Sequence, residues 1–137
     1  MQKQFFIYGA LSFPDLQHVL LGKELTGKLA TLNGYQAVKF IIDDHYSDSP
    51  VLREDEEAEV EGILTSMITS EDLKVIQKYA GDKYMLKDVY VIADGEIECA
   101  MTFMPVWSKL KLGPHWDKEI FETQFLREYV RSIPTDH

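Results

Sequence analysis

A pair of turn dipeptides, each set between two β-prone runs, limits the fold more than any other part of the sequence. Asn33-Gly34 and Asp94-Gly95 both accept the positive φ angles of a two-residue type I′ turn, which joins antiparallel neighbours. The flanking runs are residues 25–32, 35–42, 84–93 and 96–104. The sequence therefore predicts two β-hairpins and a mostly antiparallel sheet.

Two further segments have strand patterns, and two have none. Residues 4–8 read as a buried strand around the unbroken β-prone run Phe5-Phe6-Ile7, and residues 59–68 alternate between two faces. Residues 43–58 are rich in Asp, Ser and Glu and contain a proline, which predicts a long surface loop. Residues 105–115 show neither period and are predicted to be irregular.

Helix starts are marked at three places. Pro14 can occupy the first turn of a short helix, Thr69 or Ser70 can cap a second, and Asp117 can cap a third. Runs of strands with few helices between them indicate an α+β class. We expect a small curved or barrel-like sheet of five to seven strands with two or three flanking helices.

Length and composition limit the class of protein. The 137 residues suit one domain over residues 1–137, and a hydrophobic fraction of 45% is enough for a core. Cys99 is the single cysteine, which excludes an internal disulfide and favours a reducing compartment. No window has the apolar length of a membrane span or of a secretory signal. We expect a soluble cytoplasmic domain without a membrane partner, and the oligomeric state stays open.

The charge is strongly negative. The formal net charge is -9, which repels phosphate backbones and makes nucleic acid an unexpected partner. A dense acidic run comprises Glu54, Asp55, Glu56, Glu57, Glu59 and Glu61. This run is either a site for a cation or a basic partner, or a solvated loop that enters a strand, and the pattern favours the loop.

Three patterns resemble functional motifs without meeting their requirements. Residues 22–29 come within one residue of a phosphate-binding loop, but Leu29 replaces the Ser or Thr that ligates magnesium. The four histidines have no zinc-site spacing, so no metal or other cofactor is expected. Cys99 lies mid-strand between Glu98 and Ala100, which favours a packing role over a nucleophilic one.

Two separate segments carry a likeness to a known family. Tyr8-Gly9-Ala10-Leu11 ends the first strand and resembles a YGTL-type signature loop. Tyr79-Ala80-Gly81 ends the second helix and resembles a Tyr-Glu-Gly segment in which Ala replaces Glu. The likeness continues in order through Asn33-Gly34-Tyr35, residues 60–64, residues 70–73, Tyr84, Trp107, Trp116-Asp117 and Phe121. On these residues the chain resembles the γ-glutamylcyclotransferase-like family, which includes plant avirulence-induced proteins.

The resemblance implies both a fold and a binding site. The family has a small α+β fold around a barrel-like sheet, and its members convert γ-glutamyl amines into 5-oxoproline and a free amine. Its signature loop presents backbone N–H groups to the γ-glutamyl moiety, and Ala10 in place of Thr leaves those donors intact. The implied partner is a small γ-glutamyl or amino-acid-like ligand. The residues assigned to its binding are Tyr8, Gly9, Ala10, Leu11 and Tyr84.

The family's general base is the Glu of its Tyr-Glu-Gly segment, and Ala80 occupies that position. A positioned general base contributes roughly a hundred- to ten-thousand-fold in rate, so Ala80 argues against cyclotransferase activity and favours ligand binding alone. Asp82 is a candidate substitute base, with an exposed turn aspartate as its alternative. Two other hypotheses stay open: a γ-glutamyl processing enzyme that uses Asp82 or another carboxylate, and a non-catalytic scaffold for protein contacts.

Overall fold

The computed structural model describes residues 4–42, 44–106 and 111–133. The strands are β1 (Phe5–Ile7), β2 (Lys28–Ile42), β3 (His45–Tyr46), β4 (Val51–Thr65), β5 (Tyr84–Ala93), β6 (Glu96–Pro105) and β7 (Lys111–His115). The helices are α1 (Pro14–Leu21), α2 (Ser70–Ala80), α3 (Lys118–Ile120) and α4 (Leu126–Ser132). A 3-10 turn at Gly9–Ser12 follows β1, and a π-helical turn at Phe121–Phe125 joins α3 to α4. Within the described ranges, no helix has the length and apolarity needed to cross a membrane.

Five strands close into a barrel in the order β2-β4-β1-β6-β5, and β5 returns to β2 where Thr31 lies opposite Ile92. β1 runs parallel to β6, with Phe5 opposite Met101, and the other neighbours in the ring are antiparallel. β3 and β7 pair with the C-terminal part of β2 outside the ring. The predicted α+β class and barrel-like, mostly antiparallel sheet are therefore confirmed.

The core fills the inside of the barrel and the space under the helices. Phe6, Leu52, Val91 and Met104 are completely enclosed. The Phe6 ring packs directly against Gly62 on β4, where a Cβ would stand only 2.8 Å from two ring carbons. A larger residue at this position would displace the aromatic centre of the barrel.

The hairpin predicted at Asn33-Gly34 is wrong. β2 runs through this dipeptide and pairs with β4 on both sides of it, with Asn33 opposite Glu59 and Tyr35 opposite Glu54. Gly34 has a φ of 88°, whereas Asn33 keeps a negative φ, so only half of the type I′ geometry is present. One left-handed residue produces a β-bulge instead, because β4 is long enough to pair with both halves of β2.

The loop predicted over residues 43–58 is also wrong for much of its length. β3 and the first half of β4 lie there, and Val51 and Leu52 are fully buried against β2. The acidic run that follows lies on β4 and in its bulge, where the Glu57 N–H donates to Asp55 Oδ1 at 3.0 Å. The bulge interrupts the alternation of buried and exposed positions, so the sequence shows no strand period there.

The hairpin predicted at Asp94-Gly95 is confirmed. Asp94 and Gly95 have φ angles of 52° and 77°, as a type I′ turn requires. β5 and β6 then pair without a break along their full lengths. Cys99 lies on β6 opposite Tyr90 and is exposed, so the packing role predicted for it is wrong.

The helix α2 is held at both ends. At its start the Asp72 N–H donates to Thr69 Oγ1 at 3.1 Å, and the Thr69 N–H donates to Asp72 Oδ2 at 3.0 Å. Burial opposes the ionisation of Asp72, but Lys23, 2.6 Å away, and the bonds from Thr69 outweigh it and lower the pKa of Asp72. Gly81, with a φ of 80°, ends the helix and fixes the position of the residue before it.

The C-terminal part departs from the sequence prediction in one strand. β7 pairs with β2 inside the segment predicted to be irregular. Because Gly and Pro are disfavoured inside strands, the sequence of β7 shows no strand pattern. Trp107 lies outside the described residues. Asp117 caps α3 as predicted, because the Ile120 N–H donates to Asp117 Oδ1 at 3.0 Å. Phe121 is buried against Phe13 and Trp116, which anchors the helical segment to the core.

Candidate functional site

A cavity of about 360 Å³ lies where the end of β1, the C-terminus of α2 and the start of β5 meet α4. Its lining residues are Phe6, Ile7, Tyr8, Leu11, Phe40, Ser49, Pro50, Ile76, Tyr79, Ala80, Gly81, Asp82, Lys83, Tyr84, Phe103 and Tyr129. Most of the wall is aromatic or aliphatic, with hydroxyl groups from tyrosine and serine. This composition is typical of a pocket for a small molecule.

The structure brings residues from both predicted segments to this one cavity. The predicted site residues that line it are Tyr8, Leu11, Ala80, Asp82 and Tyr84. Gly9 and Ala10 are buried in the turn behind them and do not line the cavity. The two segments are far apart in the sequence, and their meeting follows from the barrel, which places the end of β1 beside the end of α2. The functional roles of these residues stay predictions.

The loop after β1 is shaped by its backbone. Gly9 has a φ of 69°, and a Cβ there would stand 2.9 Å from two ring carbons of Pro50, so glycine is required on both counts. Ser12 Oγ donates to the Gly9 carbonyl at 2.7 Å, and the buried Gln17 amide donates to the Leu11 carbonyl at 2.8 Å. These bonds direct the carbonyl groups of the loop into the protein.

The C-terminus of α2 forms the opposite side of the cavity. Ala80 is the last helical residue, and it contributes a half-buried methyl group to the wall. Gly81 follows it at the rim, and the Gly81 N–H donates to the Gln77 carbonyl at 2.9 Å. The position implied for a catalytic carboxylate is therefore inside the cavity, and the side chain there cannot exchange a proton.

Tyrosine hydroxyls line the same side. The hydroxyls of Tyr79 and Tyr129 are hydrogen-bonded to each other across α2 and α4. Burial raises the pKa of Tyr79, and the neighbouring Tyr129 raises it further, although a hydrogen bond from Ser49 opposes both effects. Burial is likewise the main cause of the raised pKa values of Tyr129 and Tyr84. These phenols are neutral near pH 7 and serve as hydrogen-bonding groups.

Tyr8 links the loop to the sheet. Its hydroxyl donates to the Phe103 carbonyl on β6 at 2.6 Å, which holds the ring against the cavity. Burial raises the pKa of Tyr8 well above its ordinary value, and nearby Tyr84 adds to the effect. Tyr8 is therefore a neutral wall residue whose single proton is already donated.

Charged side chains among the described lining residues are confined to the turn after α2. Asp82 is exposed and Lys83 is half-buried, and both follow Gly81 directly. The exposed position of Asp82 fits the turn-aspartate alternative better than a buried base. No three His, Cys, Asp or Glu side chains in the described parts of the chain lie close enough together to hold a metal ion.

Several lining residues could not be assigned from the sequence. Ser49 and Pro50 fall in the segment predicted to be a loop, and Phe40 and Phe103 lie on strands without a motif. Tyr129 reaches the cavity from the last helix. No sequence motif marks these residues as part of a site, because long-range packing brings them together.

Fold and cavity together define a class: small closed-barrel proteins with an aromatic pocket beside the first strand. A protein from Arabidopsis thaliana solved in solution has 23% identity and a TM-score of 0.69, over 96% of this chain and 88% of that chain. A structure solved as a gamma-glutamyl cyclotransferase has 16% identity and a TM-score of 0.68, over 100% of this chain and 91% of that chain. An uncharacterized protein from Homo sapiens has 17% identity and a TM-score of 0.70, over 99% of this chain and 90% of that chain.

These likenesses confirm the γ-glutamylcyclotransferase-like fold that the resemblance implied. At these identities the likenesses establish the fold alone. No family model matches the sequence, and no curated protein matches it significantly. One fold can host many functions, so the cavity and its side chains carry the information about function.

Proposed function

We propose that the cavity binds a small γ-glutamyl or amino-acid-type ligand and that the chain does not convert this ligand to 5-oxoproline. The observation that carries the proposal is Ala80, which lines a cavity bordered by the Tyr8–Leu11 loop. The loop supports binding, and the methyl group argues against turnover.

Turnover needs a group that moves protons. Cyclisation requires removal of a proton from the α-ammonium of the substrate, attack of the amine on the γ-carbonyl, and delivery of a proton to the leaving amine. The buried phenols of Tyr79, Tyr84 and Tyr129 do not replace a carboxylate, since their raised pKa values leave almost no phenolate near pH 7. The described interior of the cavity therefore supplies no base.

Binding needs donors and a matching shape. The resemblance implies ligand donors in the backbone of the Tyr8–Leu11 loop, and the two end residues of that loop, Tyr8 and Leu11, line the cavity. The Tyr79 and Tyr129 pair adds polar contacts, and Phe6, Phe40 and Phe103 add apolar surface.

One observation favours a second candidate, a γ-glutamyl processing enzyme. Asp82 lines the same cavity two residues after Ala80, so a carboxylate is present at its rim. Its exposure weakens this candidate, because an exposed carboxylate is less well positioned toward a bound substrate than a buried one.

The test measures binding and turnover on the same protein. The purified chain is titrated calorimetrically with a panel of γ-glutamyl amines and free amino acids, and 5-oxoproline is assayed in parallel. Ala80→Phe fills the cavity, and Ala58→Phe changes another half-buried alanine that does not line it. We expect saturable binding to wild type and Ala58→Phe, binding weaker by about tenfold or more in Ala80→Phe, and no 5-oxoproline.

Two results would contradict the proposal. Absence of saturable binding across the whole panel would remove the ligand-binding claim. Formation of 5-oxoproline in proportion to wild-type enzyme concentration, with loss of that activity in Asp82→Asn, would replace it with the second candidate.

A further inference from the structure

The outer face of the barrel carries large apolar side chains on three adjacent strands. Leu29 on β2, Tyr90 and Ile92 on β5, and Ile97 on β6 have exposed fractions of 83%, 71%, 40% and 74%. We call these four side chains the apolar face. None of them lines the cavity, so the proposed ligand site does not account for their exposure.

Strand register brings the four side chains to one surface. Ile92 lies directly opposite Ile97 across β5 and β6, and directly opposite Thr31 across β5 and β2. Opposite residues of antiparallel strands point to the same side of a sheet, as do residues two positions apart on one strand. Leu29 is two positions from Thr31, and Tyr90 is two from Ile92, so the apolar face is contiguous.

A column of carboxylates borders the apolar face on β4. Glu61 lies opposite Thr31 and Glu59 lies opposite Asn33, which places both on the same outer surface. Both are exposed, and within the described ranges neither forms an ion pair. This side of the barrel is therefore an apolar area next to uncompensated negative charge. Contiguous exposed apolar surface of this kind marks interaction sites, whereas isolated apolar residues do not.

We propose that the apolar face, together with Glu59 and Glu61, docks a polypeptide segment that combines apolar side chains with lysine or arginine. The apolar side chains of the partner cover the face, and its cations lie against the carboxylate column. A second copy of this chain is a poor occupant, because it carries the same carboxylates and a formal net charge of -9. The proposal does not depend on the ligand cavity. It assigns a basic partner to Glu59 and Glu61 of the acidic run, the alternative that the sequence pattern disfavoured.

Cys99 provides a reporter at this surface. It is the chain's single cysteine, it is exposed, and it lies opposite Tyr90. A polarity-sensitive dye on Cys99 is titrated with a synthetic amphipathic peptide of leucine and lysine. We expect a saturable blue shift of the emission that weakens at high salt. Matched peptides with glutamate in place of lysine, or serine in place of leucine, are expected not to saturate.

Substitutions then locate the site on unlabelled protein by calorimetry. Ile97→Glu removes part of the apolar face, and Glu61→Lys reverses the column, so each is expected to weaken peptide binding by about tenfold or more. The matched controls are Ile120→Glu and Glu122→Lys, which alter exposed residues of the C-terminal helical segment. The controls are expected to bind as wild type does.

Three outcomes would overturn the proposal. If the serine peptide bound as tightly as the leucine-lysine peptide, or if Ile97→Glu bound the leucine-lysine peptide as tightly as wild type, binding would be non-specific charge attraction. The dye can also be attached at position 122 in the double variant Cys99→Ser, Glu122→Cys. If the peptide changed the emission of that dye but not of the dye on Cys99, the peptide would bind at a different surface. Sedimentation that shows a dimer of the wild type and a monomer of Ile97→Glu would make the face a contact between copies of this chain.

Discussion

One side of the cavity is shaped by backbone and the other by side chains. On the loop side, Gly9 packs under Pro50 and the carbonyl groups are bonded inward, so the local geometry depends little on which residue follows the glycine. On the α2 side, the wall consists of the Ala80 methyl group and the hydrogen-bonded hydroxyls of Tyr79 and Tyr129. The loop geometry therefore tolerates Ala10, whereas the properties of the α2 side depend on which side chain stands at position 80.

Gly9→Ala tests the loop side and is expected to have the greatest effect. The alanine must adopt a left-handed φ and also clash with the Pro50 ring, which together cost about 2–4 kcal/mol of unfolding free energy. Urea unfolding measures the loss, and ligand titration should show that binding falls with the loop geometry.

Gly22→Ala is the matched control, because Gly22 has a φ of 70° but, among the described residues, no atom beyond its own local backbone and chain neighbours lies within 4 Å of the point that a Cβ would occupy. It carries only the left-handed cost of about 1–2 kcal/mol. Equal destabilisation by the two substitutions would show that the contact between Gly9 and Pro50 does not constrain the loop.

Tyr79→Phe tests the α2 side through pH. Removal of the shared hydrogen bond costs about 1 kcal/mol near pH 7. Unfolded tyrosine ionises near pH 10, whereas burial raises the pKa of folded Tyr79, so the folded state keeps a proton that the unfolded state loses. This contribution is complete below about pH 10 and is lost as the pH rises toward the folded pKa.

Urea unfolding between about pH 9 and pH 11 measures this slope. Wild type should lose unfolding free energy above about pH 10, and Tyr79→Phe should lose about 1.4 kcal/mol less per pH unit. Tyr90→Phe, which removes the hydroxyl of a tyrosine that is 71% exposed, is the control near pH 7 and should leave the unfolding free energy there unchanged. Identical slopes for wild type and Tyr79→Phe would mean that the hydroxyl cluster is open to water.

Asp82→Asn is expected to have the least effect. Asp82 is exposed at the rim, so its charge is screened, and we expect ligand affinity to change by less than about twofold. Asp88→Asn on β5 is an exposed aspartate that does not line the cavity, and it serves as the control. A loss of binding in Asp82→Asn alone would mean that the carboxylate contacts the ligand.

The two turn dipeptides show how far local sequence determines the fold. Asp94-Gly95 forms the predicted hairpin, because none of the described strands pairs with β5 and β6 across the turn. Asn33-Gly34 has the same local signal but becomes a bulge, because β4 pairs with β2 on both sides of it. The choice between turn and bulge depends on β4, which is distant in the sequence. The acidic residues of β4 favour a loop prediction, so the sequence does not reveal the first half of this strand.

The residues that line the cavity likewise differ in how far the sequence predicts them. Tyr8, Leu11 and Ala80 could be assigned from motifs, because each lies in a short segment with a recognisable pattern. Ser49 and Tyr129 could not, since no motif marks either of them as part of a cavity wall. The sequence therefore predicts the loop side of the cavity and the place of Ala80 in its wall, but not the hydroxyl cluster.

The proposal that the cavity binds its ligand and lacks only the base can be decided by the 5-oxoproline assay on Ala80→Glu. Ala80→Gln is the matched control, because it has nearly the same size and cannot exchange protons as a carboxylate does. We predict that Ala80→Glu forms 5-oxoproline on the order of a hundredfold faster than wild type or Ala80→Gln. Equal rates for Ala80→Glu and wild type, in protein that still binds the γ-glutamyl amine, would contradict the proposal.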